Sequence, residues 1–534
     1  MSGGDRTLRS VMSVDDHVDW SATPVVLLAA AIAVLVLSPV VWLVMRTMTI
    51  DSNRLLSLMT RPTAIDALLN SLALVAVVTG ASVTIGVPLA VLTTRTDLPY
   101  RRFWTVIVAL PLVLPSYIGA FAFVSAFGPY GVLSDALSIS LPTVYGFFGA
   151  ALVLTLFIYP YVFISTRAAL VTLDASLIEA ARTLNHGHWA AFKRVTLPRI
   201  VPGIAAGALL VALYTLSDFG TPAIMHFDTF ARMIYVEFNT FGRDMAALLS
   251  VQLLVVTAVL LAIESRIGTD RSGAYESTGE RSDAVRISLG RWRWPATAFP
   301  AAIAMVTLVL PIGVLLVWLV RADPGYGGGF AFRWIYGFNS FAVSALAALI
   351  AVAAAIPIAY VATVRSGRLS SLLERSTYVG YAMPGIVLGL ALVYFGSSLA
   401  PWLYQTIPLL LFAYVVRFLP QAVGTIRSSF LQVDPHLVEA ARTLGRGRFE
   451  TFRAVTLPLV LPGIVAGGAL VFLTTMKELP ATLMLHPTGF DTIVTYIWLV
   501  QGSGNYGSAA FPALLLVAIS GLSMVVTLAR GTDR

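Results

Sequence analysis

The sequence predicts an all-α polytopic membrane protein, with twelve transmembrane helices arranged as two parallel six-helix repeats. Three observations predict it. The 534-residue chain is 57% hydrophobic and only 12% charged, against about a quarter charged in an ordinary soluble domain. Its apolar residues gather into twelve runs of spanning length. Its two halves also match each other in sequence.

A spanning helix needs roughly 20 apolar residues. Runs of that kind lie at about 24–45, 67–92, 104–126, 143–165, 200–220 and 244–263, then at 296–320, 340–364, 376–400, 404–425, 460–477 and 508–529. The first 23 residues are polar, and the run that follows is too long for a signal-peptide core and lacks a clear cleavage site. It reads as a retained first helix behind a cytoplasmic tail, 1–23.

Basic residues set the orientation. With the N-terminus placed in the cytoplasm, 26 of the 35 Lys and Arg residues fall in inside segments and eight outside, with Arg417 within a span. That bias puts both termini inside. It also accounts for the net charge of +8 as topology, so nucleic acid is not among the expected partners. The chain has no cysteine, which removes disulfides, thiolate catalysis and cysteine-ligated metals.

The longest polar stretch separates the halves. Residues 265–295 carry arginines and acids that nearly cancel, among Ser and Gly, as a solvated linker does. It divides a first repeat, 24–264, from a second, 296–534. Residues 174–210 match 434–470 at 20 of 37 positions without a gap. The offset of 260 holds from Pro160/Pro420 to His226/His486, and upstream Asn70/Asn339, Ser71/Ser340, Pro88/Pro357 and Pro115/Pro384 pair at 269. Six spans per half is an even number, so both copies enter the membrane in the same sense and both matched segments face the cytoplasm.

Each matched segment reads Glu-Ala-Ala, then Asn185 or Gly445, then Val-Thr-Leu-Pro. Asn and Gly best tolerate the left-handed conformation that ends a helix. The expectation is a short helix, a break, a second short helix, and a proline opening the next span. Leu177, Ala180, Ala181 and Leu184, and likewise Leu437, Ala440, Ala441 and Leu444, form a small apolar face at helical spacing.

This pattern resembles the EAA signature of the membrane subunits of binding-protein-dependent ABC importers, here present twice, with Val195 and Val455 for the usual Ile and Asn185 for the first Gly. The resemblance implies the type I ABC importer permease fold. It also implies two coupling loops that dock two copies of a cytoplasmic ABC ATPase, through Glu179, Ala180, Ala181, Asn185, Leu197 and Pro198 in the first copy. In the second they are Glu439, Ala440, Ala441, Gly445, Leu457 and Pro458. An extracytoplasmic substrate-binding protein would deliver the substrate. The segments SDFGTPAIM (217–225), MKELPATLMLH (476–486) and GFDTIVTYIW (489–498) look most like the fused permeases of ferric-iron importers. Similar permeases carry thiamine and other small charged solutes.

The chain is not expected to hydrolyse ATP. A phosphate-binding loop needs GxxxxGK[ST], and the only lysines, Lys193 and Lys477, are neither preceded by Gly nor followed by Ser or Thr. No cofactor or metal is expected. The histidines form no HExxH, and His186 and His188 are replaced by Arg446 and Arg448 in the second copy.

Asp218 and Glu478 occupy equivalent positions, about 15–20 residues beyond the prolines that open their spans and so toward the outer face. Charged groups inside a membrane usually face an interior or a cavity. They are candidates for a pathway or gate; the alternative is ordinary interfacial charge, with Glu478 paired to Lys477. Arg417 has no counterpart, since Phe157 stands at its position. It either snorkels to the cytoplasm or pairs within the bundle. An ion-coupled secondary transporter is the alternative of another class, and would carry more charge near the membrane centre.

Overall fold

The computed structural model describes residues 23–128, 131–137, 143–173, 190, 192–268, 287–321, 331–364 and 367–532. The N-terminal tail, the heart of the first EAA loop (174–189) and most of the linker (269–286) lie outside the described residues.

Every one of the twelve apolar runs falls on helix. Among the described residues ten helices are long and apolar enough to cross a membrane singly, and a bent pair makes an eleventh. The last run lies in the helix Tyr506–Thr532. The described part of the chain is helical throughout its regular structure, with a single isolated bridge between Thr96 and Ile287.

Two runs expected as continuous helices, 104–126 and 376–400, are broken. In the first half a helix Arg101–Ile107 and a 3-10 turn Leu110–Val113 precede the helix Ser116–Phe127. In the second, Arg368–Ala382 meets Gly385–Ser398 at 98°. The break is the same in both. Pro115 and Pro384, paired at offset 269, each cap the second helix with extended backbone, φ −58°, ψ 135° and φ −55°, ψ 140°. Proline lacks an N–H and disfavours helical geometry in the residue before it, so a helix cannot run through.

Proline shapes three other helices differently. The π-turns Phe192–Thr196, Met305–Val309 and Phe452–Thr456 each end immediately before a Leu-Pro pair (197–198, 310–311, 457–458). A proline inside a helix clashes with the carbonyl four residues back, and the wider π-turn accommodates it. The second short helix expected after the EAA motif is therefore not separate. It merges through the π-turn into one span, Phe449–Met476.

Equivalent helices pack equivalently. Pro160–Val171 lies between Pro62–Arg95 and Leu197–Ser217, as Ile407–Phe430 lies between Trp334–Val364 and Leu457–Met476. Close approach depends on two GxxxG pairs. A Cβ on Gly207 would come 2.6 Å from Val162 Cα, and one on Gly467 would come 2.5 Å from Thr425 Oγ1. Gly203 and Gly463 are as tightly faced, by Ala169 and Ser429. Small residues at this spacing let membrane helices pack backbone to backbone. The offset-269 pairs have matching roles too. Asn70 and Asn339 donate to the carbonyls of Asp228 and Asp491 at 3.0 and 2.8 Å, while Ser71 and Ser340 accept from the amides of Phe230 and Ile493 at 2.9 and 2.8 Å.

The halves interlock. The helix Thr23–Met48 packs on the broken span of the second half, and Leu310–Arg321 packs on the helix Ser116–Phe127 of the first. Trp42 stacks on Phe395 at 5.0 Å, and Phe219 meets Trp498 at 5.0 Å between ring centroids.

Candidate functional site

Two places carry the residues singled out in the sequence, at opposite ends of the same helices. At one end stands the second EAA segment. Its helix Pro435–Thr443 opens on Asp434, whose carboxylate accepts from the His436 amide at 2.9 Å. It closes on Gly445 at φ 85°. The amide of Gly445 donates to Arg442 O (3.0 Å) and that of Arg446 to Ala441 O (3.3 Å), the doubled bond of a Schellman end. Gly445 thus has the left-handed backbone expected of it.

The apolar face expected there is turned outward. Leu444 is 83% exposed, and Leu437, Ala440 and Glu439 are exposed with it, while Ala441 alone is buried. Among the described residues the ionic partner of Glu439 is His436, at 3.7 Å. Leu457 and Pro458 follow the π-turn, and Leu197 and Pro198 stand in the same setting in the first half. Glu179, Ala180, Ala181 and Asn185 lie outside the described residues.

At the other end of the helices Leu197–Ser217 and Leu457–Met476 stand Asp218 and Glu478, 8% and 7% exposed. Each carboxylate does two things. One oxygen caps the short helix that follows: Asp218 Oδ1 accepts from the Thr221 amide at 2.8 Å, and Glu478 Oε1 from the Ala481 amide at 3.3 Å. The other oxygen turns to a different element. Asp218 Oδ2 accepts from the Ser116 hydroxyl, at the break of the first half's span. Glu478 Oε2 faces Arg417 Nε at 3.3 Å, and Arg417 also donates from Nη1 to the Met383 carbonyl at 3.0 Å, at the second half's break.

Arg417 therefore pairs within the bundle, with Glu478, and Lys477 is not the partner of Glu478. Gly385, equivalent to Ser116, leaves room for this: a Cβ there would collide with Glu478 Oε1 and crowd the guanidinium. The two carboxylates lie within electrostatic range of each other, and Tyr117 and Tyr214 within range of both. The cluster thus joins both halves. Ser116, Tyr117 and Gly385 were not singled out in the sequence. The signal was there in the prolines that precede them, Pro115 and Pro384, aligned at offset 269.

Among the described residues no three His, Cys, Asp or Glu side chains gather as a metal site would require. The cluster instead offers oxygen atoms alone, from two carboxylates, two phenols and neighbouring hydroxyls.

The chain is 30% identical over 487 residues to the Fe(3+)-transport system permease protein FbpB 2 of Haemophilus influenzae, covering 91% of this chain and 94% of that one. It is 23% identical over 488 residues to the ferric transport system permease FbpB of Actinobacillus pleuropneumoniae, over 84% and 69% of the two chains. A half-length relative, the molybdenum transport system permease ModB of Mycobacterium bovis, is 34% identical over 256 residues, 45% of this chain and 94% of its own. The family described as binding-protein-dependent transport system inner membrane component matches twice, at residues 82–324 and 351–529. A duplicated, interlocked helical bundle that carries this match in each half belongs to that family, the permeases of ABC importers.

Proposed function

We propose that this permease forms the ferric-iron pathway of an ATP-driven importer and is driven through two cytoplasmic EAA loops by two copies of an ABC ATPase. A substrate-binding protein delivers iron at the opposite face, and both termini are cytoplasmic. The repeats 24–264 and 296–534 are the two pseudo-symmetric halves, joined by the linker 265–295.

The observation that carries this reading is that in each half one continuous helix runs from the π-turn to the neighbourhood of the buried carboxylate. Leu457–Met476 begins at the π-turn behind the EAA helix and ends at Glu478; Leu197–Ser217 ends at Asp218. Twenty residues at 1.5 Å each make a lever of about 30 Å. An ATPase that grips Leu444, Glu439 and Ala440 and draws the loops together would move the two carboxylates relative to each other. Glu179, Ala180, Ala181 and Asn185 do the same for the first half. ATP hydrolysis belongs to the partner, since neither lysine stands in a phosphate-binding loop.

Iron is supported by the Haemophilus influenzae relative, which matches both halves. The half-length molybdenum relatives support an oxyanion instead, but buried carboxylates at the junction of the halves disfavour an anion. Reconstitution with the ATPase and binding protein, followed by uptake of labelled ferric iron, molybdate and thiamine, decides. Ferric iron should accumulate with ATP; accumulation of molybdate or thiamine in its place would overturn the substrate assignment and leave the importer reading standing.

A further inference from the structure

The pseudo-symmetry breaks at the carboxylate cluster. Three equivalent pairs differ there: Ser116 against Gly385, Phe157 against Arg417, and Asp218 against Glu478. In the first half a hydroxyl satisfies the second carboxylate oxygen, and in the second half a guanidinium does. Capping alone does not call for the arginine, because the first half caps its short helix without one. A buried ion pair is weak evidence for stability, and its best-attested use is as a register or switch.

A second observation points to a ligand. The Tyr117 hydroxyl is buried, 6% exposed as a residue, and has no hydrogen-bond partner among the described residues. It lies within electrostatic range of both carboxylates and of Tyr214. Its oxygen lone pairs can serve a bound cation as a donor atom.

We propose that Asp218 and Glu478 are the two arms of a transient docking point for a hard, multivalent cation, with Tyr117 beside them, and that Arg417 is the positioning residue that holds the Glu478 arm closed until the cation displaces it. The proposal rests on the pathway reading above and adds its chemistry. Carboxylate, phenol and hydroxyl oxygens suit hard cations. Binding is weak by construction, because only two carboxylates take part and one is already compensated. A conducting site must bind well enough to admit its ion and loosely enough to release it.

Terbium(III), a hard trivalent ion whose emission is sensitised by nearby tyrosine, tests this on the full-length permease in nanodiscs with its ATPase. The wild type should show weak sensitised emission that falls in Tyr117→Phe and in Asp218→Asn. Arg417→Gln should bind terbium roughly tenfold more tightly or better, since a cation a few ångströms away no longer opposes it, and Arg417→Gln/Asp218→Asn should lose the gain. Uptake should slow in Arg417→Gln as release becomes limiting. Emission indifferent to both Tyr117→Phe and Asp218→Asn overturns the proposal even if Arg417→Gln does not fold, and so does an Arg417→Gln affinity equal to that of the wild type. Ferric uptake with no such terbium site sinks the docking point alone; the terbium site without ferric uptake sinks the substrate assignment alone.

Discussion

Arg417 and Phe157 stand 260 residues apart at equivalent positions, and the difference sets what each half requires of its neighbours. Phe157 presses its ring on Gly119, where a Cβ would collide with it; Arg417 needs a carboxylate. Removing one partner of a buried pair leaves a charge without compensation and costs about 3–5 kcal/mol. Arg417→Met should therefore lower the unfolding temperature in detergent markedly, and Arg417→Met/Glu478→Gln should recover most of the loss. Ser116→Ala strips a donor from Asp218 and should cost less, about 1–3 kcal/mol. Glu478 and Asp218 were legible in the sequence because charge is scarce in apolar runs. The partner of Arg417 was not, because the pair joins residues from different helices and no local pattern records it.

Elements differed from their expected form mainly at proline. The apolar pattern marks where helix lies, but it does not distinguish a helix that continues through a π-turn from one that stops. Pro198 and Pro458 do the first and Pro115 and Pro384 the second, and the outcome depends on packing around each. The GxxxG pairs explain part of that packing, so Gly467→Leu should weaken the helix pair Ile407–Phe430 and Leu457–Met476 and reduce folded yield on size exclusion. The end of the linker is fixed by Asp97, whose carboxylate accepts from the Leu289 amide at 2.8 Å and pairs with Arg293 at 2.7 Å. Those bonds, the amide first and the guanidinium next, hold the Asp97 carboxyl below the usual carboxylate range. A depressed folded-state pKa means the tie is intact above the ordinary value, roughly 3.9, and is lost as pH falls through the lower folded value. Protection of the Leu289 and Ile287 amides, taken relative to the intrinsic exchange rate at each pH, should hold at neutral pH and fall only in acid, whereas Asp97→Asn should abolish that dependence.

At the scale of the molecule, the duplication was legible because both halves kept the same sequence blocks, and the matching hydrogen bonds of Asn70 and Asn339 repeat it in three dimensions. The interlocking of the halves was not, since it depends on which half each leading helix covers. The proposed lever from EAA segment to carboxylate could not be read from the sequence, because it needs both ends of Leu457–Met476 together. Its most direct test is a change at an exposed residue that holds nothing in the isolated chain. On the proposed coupling, Leu444→Asp should leave folding and iron delivery intact while spoiling an apolar contact with the ATPase. In proteoliposomes loaded with ATP, with hydrolysis and ferric uptake recorded on the same sample, the account predicts that wild-type uptake requires ATP and that Leu444→Asp loses uptake by roughly tenfold, the worth of about 1.4 kcal/mol at one docking contact. Uptake that proceeds without ATP, or that is untouched by Leu444→Asp, would contradict it.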